Sequence, residues 1–193
     1  INRGSEDNVG LFGYVVKDAL IKNVALVNVD ISGNGIVGGL VGRNKGGEMK
    51  NSSSCGNIYG NGYRVGGLVG WNTNGNLNNS HTKGKITGRS SVGGLIGRNE
   101  DGSVSRSYST ADVSNSGSSI GGLIGNNSGH IQYSYAIGDV TGNKERVSGL
   151  IGSNGGLINT CYAEGKISQN TAKVGGLVGS NGGDINKSYA IGQ

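Results

Sequence analysis

The tetrad Gly-Leu-hydrophobic-Gly returns seven times along this chain, with its leucine at Leu11, Leu40, Leu68, Leu95, Leu123, Leu150 and Leu177. The intervals are 29, 28, 27, 28, 27 and 27 residues. A period held this closely identifies a repeat architecture, in which one unit cannot bury its own apolar face and must stack on its neighbours. The phrase GGLVGRN at 38–44 recurs with small edits as GGLVGWN, GGLIGRN, GGLIGNN, SGLIGSN and GGLVGSN.

Aligning the units on that leucine gives a consensus of V-GGL[VI]G-x-N-x-x-G-x-[IV]-x-x-SYA-x-G-x-[IV]-x-G. Three apolar stations recur in it. One is the GGL[VI]G segment; the others are Met49, Leu77, Val104, Ile131, Ile158 and Ile185, and Ile58, Ile86, Val113, Val140 and Ile167. Each is short and bounded by Gly, Asn or Ser, which suits strands and excludes helical repeats. Three strands and tight turns per unit describe one coil of a parallel β-solenoid, each strand pairing with its counterpart in the next coil at about 4.8 Å. The expected fold is all-β, a right-handed parallel β-helix of about seven coils of 27–28 residues, with the hand taken from the general rule for parallel crossovers. Residues 1–193 form one such domain, with 1–37 a variant lead-in coil and 38–193 regular coils. The last unit stops partway through a coil, at SYAIGQ, with no polar cap, so the chain is expected to be part of a longer protein.

Composition alone suggests disorder, because only 33% of residues are hydrophobic and 41 are glycine. The fixed register of the apolar stations argues against that reading, and the lack of proline excludes a collagen-like one. The formal charge is +5, but the 17 basic residues are scattered, which speaks against a nucleic-acid partner. The N-terminal INRGSEDN is no signal peptide, and no stretch is apolar enough to span a bilayer, so no direct membrane insertion is expected of this region.

In a solenoid each aligned slot becomes a column. Asn44, Asn72, Asn99, Asn127, Asn154 and Asn181 fill one slot without exception, and stacked amides can hydrogen-bond along it. Ser52, Ser80, Ser107, Ser134, Cys161 and Ser188 form a small, internal column; Ser53, His81, Tyr108, Tyr135, Tyr162 and Tyr189 follow it as an aromatic stack. That stack serves either cross-coil packing or recognition of sugars and apolar groups, packing being its ordinary use. A charged column reads Asn57, Lys85, Asp112, Asp139, Lys166, so opposite charges adjoin at Lys85/Asp112 and Asp139/Lys166 and help fix register. Strict alternation along GGLVGRN would put Leu40 inside and Val41 outside. Either a bulge at the glycine pair turns both inward, which is favoured, or another segment covers the Val41 column. One slot of the phrase varies freely: Arg43, Trp71, Arg98, Asn126, Ser153, Ser180. The candidate interaction surface is therefore Arg43, Trp71 and Arg98, together with Tyr108, Tyr135, Tyr162 and Tyr189.

No catalytic constellation emerges. The chain has no HExxH, and His81 and His130 lie in different slots nearly two coils apart. The calcium nonapeptide GGxGxDxUx and the GxSxG elbow are missing, and no helix follows the Gly-rich fragments to hold a phosphate. No cofactor is expected. Cys55 and Cys161 fall four repeats apart, roughly 19 Å along the axis, too far for a disulfide.

The tetrad Gly39-Leu40-Val41-Gly42 and its six relatives resemble the GLUG motif, over essentially the whole chain, with GLFGYVVKDALIKNVALVNVDISG similar to the lead-in unit of such arrays. GLUG repeats are known from bacterial extracellular and surface proteins, among them adhesins and the M26 immunoglobulin-A-specific zinc metallopeptidases, where they lie outside the catalytic domain. The resemblance implies a secreted or surface-anchored bacterial setting, a non-catalytic adhesive surface or stalk, and a host glycoprotein, glycan or immunoglobulin as partner. A metallopeptidase accessory region is the alternative it implies. No family catalytic residue maps onto this sequence.

Overall fold

The computed structural model describes residues 1–3, 7–169 and 173–192. Its strands form four parallel sheets of seven, seven, seven and eleven strands. The second coil shows the pattern: Ile36–Gly38 in sheet 1, Val41–Lys45 in sheet 2, Glu48–Lys50 in sheet 3 and Ser53–Gly60 in sheet 4. Each strand pairs with its equivalent one repeat away, as in Val65 with Val37, Trp71 with Arg43, Leu77 with Met49 and Ile86 with Ile58. The fold is the expected right-handed parallel β-solenoid of seven coils.

Four sheets replace the three stations read from the sequence. The GGL[VI]G segment is not one strand: the chain bends at Gly39 and Leu40, ending sheet 1 and starting sheet 2. The bend also settles the Val41 column. Leu40 points into the corner, Val41 opens the next strand facing the core, and both are fully buried, as are their counterparts through Leu150 and Ile151. The column is covered within the chain. The fourth sheet contains the SYA segment as well as the third station; from the fourth coil on it splits in two, as at Tyr108–Ser109 and Asp112–Asn115.

The interior is two apolar columns. One joins Leu40, Val41 and Met49 with their counterparts, between sheets 2, 3 and the first half of sheet 4; the other joins Val37 and Ile58 with theirs, between sheet 1 and the second half of sheet 4. Every rung adds a few aliphatic side chains, each stabilising by about 1.5–3 kcal/mol when fully buried. In the first coil the corner has one glycine fewer, and Leu11 is 47% exposed where Leu40 is 0%. A bulge between Leu26 and Val29, with Asn28 at φ 54°, takes up an extra residue in that coil.

Two buried polar ladders hold the corners. Asn44 Nδ2 donates to Asn72 Oδ1 at 2.8 Å, and the same bond repeats at 2.8 Å through Asn99, Asn127, Asn154 and Asn181. The second Nδ2 hydrogen of Asn44 goes to the Gly47 carbonyl and its Oδ1 accepts the Gly47 N–H, so this buried amide is satisfied locally and axially at once. In the serine column each hydroxyl donates two residues back, as from Ser80 to the Asn78 carbonyl, and accepts the N–H of the preceding rung, as from Ser52. The charged column is in the expected register, Lys85 beside Asp112. Its carboxylates, however, bind backbone: Asp112 Oδ1 accepts the Asp139 N–H at 3.2 Å and Asp139 Oδ1 the Lys166 N–H at 2.9 Å. They act on the coil spacing through the main chain.

Candidate functional site

The fourth residue of each tetrad is where sheets 1 and 2 come together. A Cβ on Gly42 would lie 2.7 Å from Val9 N and 2.8 Å from the Asn8 carbonyl carbon; one on Gly97 would lie 2.6 Å from Val65 N and 2.6 Å from Gly70 O. Only glycine lets the two backbones approach this closely. Along this line the outward side chains of sheet 2 meet those of sheet 1, and around Ile36, Arg43 and Arg64 they enclose a groove. One wall is the variable slot of sheet 2, Arg43, Trp71 and Arg98, which pair in register. The other is the edge of sheet 1 at Ile36 and Arg64.

Trp71 is the centre of this groove. The guanidinium carbon of Arg43 lies 3.9 Å from its ring centroid and that of Arg64 4.0 Å, with Arg98 at 6.0 Å. Such contacts stabilise by about 0.5–2 kcal/mol each according to solvation. Trp71 Nε1 donates to Glu100 Oε2 at 3.0 Å, and the same oxygen stands 3.5 Å from Arg98 Nε. Arg43 Nε and Arg98 Nε are buried without a hydrogen-bond acceptor. Burial, and then the neighbouring Arg98, lower the Arg64 pKa; Glu100 opposes them and Arg43 adds to them. Beside the cluster lies a cavity of about 300 Å³ lined by Arg43, Arg64, Tyr63, Asp7, Asn8, Gly35 and Ile36.

The structure thus brings Arg43, Trp71 and Arg98 together and sets the tyrosines elsewhere, on sheet 4. His81, Tyr108, Tyr135 and Tyr162 stack with centroids 4.7–4.8 Å apart and planes within 8° of parallel, and Tyr189 continues the stack at 5.5 Å. Because each inner ring has both faces covered by its neighbours, a sugar cannot stack on it from outside. The ladder offers ring edges to solvent. Burial, and then the adjoining rings, raise the pKa of Tyr135 and of Tyr162.

Arg64 and Glu100 were not singled out from the sequence. Arg64 stands two residues before a glycine pair in the slot of Ile36 and Ser91, a variable position like that of Arg43 but on another sheet. Its basic character, shared with Arg146 and Lys173 of the same slot, was the available signal. Glu100 closes the sheet 2 strand two residues after Arg98.

Among the described residues, no group of three or more His, Cys, Asp or Glu is placed to hold a metal ion. Both cysteines are free, Cys161 buried and Cys55 half-buried. No helix of the described residues is long and apolar enough to cross a membrane.

No curated protein and no solved structure matches the chain. The family model of the GLUG motif matches residues 61–87, 88–114 and 116–141, each span running from the turn before sheet 1 into sheet 4. A GLUG-motif repeat region of three tandem copies is therefore present in the middle coils of this solenoid.

Proposed function

We propose that this region is a non-catalytic binding module of a secreted or cell-surface bacterial protein, holding an interaction face away from the rest of the molecule. One observation carries the reading. The Asn and Ser ladders hold their positions coil after coil, while the outward slot just before the Asn ladder changes from Arg43 to Trp71 to Arg98 to Asn126. A scaffold whose internal columns are fixed and whose outward column is free to vary suits recognition. A host glycoprotein or glycan is the partner class that suits an exposed polar face of this kind.

The test is saturable binding of the fluorescently tagged region to glycoprotein-coated surfaces, with displacement by untagged region. Saturation with displacement is the expected result. Adsorption that neither saturates nor competes would remove the binding role.

A further inference from the structure

We infer that the groove between sheets 1 and 2, around Arg43, Arg64 and Trp71, binds an acidic glycan, taking its carboxylate or sulfate groups on the two guanidiniums. The inference rests on the binding role proposed above and gives it a site and a ligand class.

Arginine forks are suited to planar or tetrahedral oxyanions, because two parallel N–H donors meet two oxygens at once. Here guanidiniums from two different sheets meet at one indole, which fixes their planes. Like charges gather at a cost unless something opposes them. Glu100 supplies one opposing charge, its Oε2 accepting from Trp71 Nε1 and standing 3.5 Å from Arg98 Nε. Asp7, exposed on the rim of the cavity, is the other carboxylate nearby among the described residues. Among the described residues three guanidiniums, Arg43, Arg64 and Arg98, stand against two carboxylates, Glu100 and Asp7, so the site is positive on balance. The unaccepted Nε–H of Arg43 is a donor without an oxygen. An anionic oxygen in the adjoining cavity of about 300 Å³, which Arg43 and Arg64 both line, supplies the opposing charge.

The rest of the groove narrows the ligand class. Beyond Arg98 the sheet 2 slot turns to Asn126, Ser153 and Ser180, and the sheet 1 slot to Ser91 and Ser119 before Arg146 and Lys173 bring charge back. Amides and hydroxyls therefore separate the two basic stretches. A nucleic acid strand, with a phosphate at every step, would want cations along the whole groove. An extended acidic peptide would find few apolar pockets for its alternate side chains. A linear glycan has charge at some rings and hydroxyls throughout, which matches basic positions at Arg43, Arg64 and Arg98 and again at Arg146 and Lys173, with neutral hydrogen-bonding residues between them. Arg43 and Arg98 stand two coils apart, about 10 Å at the strand spacing.

Trp71 is the sole tryptophan, so intrinsic fluorescence reports on this groove alone. The whole region is titrated with an oligouronate, a sulfated oligosaccharide, the neutral counterpart of each, and oligoglutamate. The expected result is a saturable change in Trp71 emission with the uronate, the sulfated sugar or both, and none with the neutral sugars or oligoglutamate; the two acidic arms tell carboxylate from sulfate. Arg43→Gln and Arg64→Gln should each weaken binding roughly tenfold or more. Lys83→Gln, an equal charge change on sheet 4, should leave it unchanged, with circular dichroism melts showing that each variant folds. No response to either acidic sugar, an equal response to oligoglutamate, or equal loss in Lys83→Gln would overturn the inference. A silent Trp71 beside retained glycoprotein binding would remove this site alone; loss of both would remove the binding role as well.

Discussion

Asn72 donates a side-chain hydrogen bond to Asn99 Oδ1 at 2.8 Å while also donating to the Gly75 carbonyl, so one buried amide joins its own turn to the next coil. Replacing Asn99 by Ala strands the Asn72 donor, the Asn127 acceptor and the Gly102 carbonyl together. The expected loss is roughly 2–3 kcal/mol, since buried polar groups left unmade each cost on that order. Asn181→Ala, at the exposed end of the ladder, should cost under about 1 kcal/mol. Urea unfolding midpoints of the two variants give the comparison.

Gly97 of the tetrad is expected to be far less replaceable than the turn residue Gly155. A Cβ on Gly97 meets backbone at 2.6 Å, whereas one on Gly155 meets nothing closer than 3.9 Å. Gly97→Ala should therefore destabilise by about 1–3 kcal/mol, the cost of forcing atoms into a packed site. Gly155→Ala should stay within about 0.5 kcal/mol of the parent. Thermal melts of the two proteins side by side distinguish these outcomes.

At the turn from sheet 3 to sheet 4 every coil has a left-handed residue: Asn23, Asn51 and Asn79, then Arg106, Tyr133, Thr160 and Lys187, with φ between 46° and 58°. Asparagine tolerates this region, and Asn79 and Asn51 also hydrogen-bond along the column. Thr160 is β-branched and strained there. Thr160→Asn should stabilise by about 1 kcal/mol. Calorimetry should show a raised melting temperature; a lowered one would mean that the turn is relaxed as it stands.

Cys161 fills a serine rung. Its thiol donates to the Asn159 carbonyl at 3.3 Å, and burial raises its pKa. A thiol more easily ionised unfolded than folded gives stability that is intact below the unfolded pKa and lost as pH rises from there through the folded value. Alkaline destabilisation should accordingly start near pH 8.5, about the ordinary thiol value. Cys161→Ser should remove that component and leave the later one from Tyr135 and Tyr162, whose raised pKa values act in the same direction above about pH 10. Native-state alkylation followed by mass spectrometry should modify Cys55 well before Cys161.

Columns were legible in the sequence because an in-register stack repeats its chemistry at each rung. Spacing along the chain alone assigns Asn44, Ser52 and Tyr108 each to a ladder. Corners were legible in part: the glycine pair pointed to a break that buries Val41 beside Leu40, but period-two alternation describes a flat strand and could not show that Gly39-Leu40 is a bend between two sheets. The site was half visible. Arg43, Trp71 and Arg98 share a slot and announce themselves, but Arg64 reaches Trp71 from another sheet across a line of glycines, a meeting that no spacing along the chain encodes. Similarly, Asp139 sits beside Lys166 as the column requires, yet its carboxylate prefers the Lys166 main-chain N–H, a donor that side-chain charge matching ignores.

In-register coils are the premise on which the ladders, the groove and the glycan site all depend. Spin labels on the exposed column that runs from Asp30 through Asn57 to Lys166 measure it directly, with both cysteines replaced by serine. Four steps from Asn57 to Lys166 should give about 19 Å and five from Asp30 to Lys166 about 24 Å, one strand spacing more. Narrow distributions separated by that single spacing are the expected result. Two equal distances, or distributions broader than the labels themselves allow, would contradict the stacked solenoid.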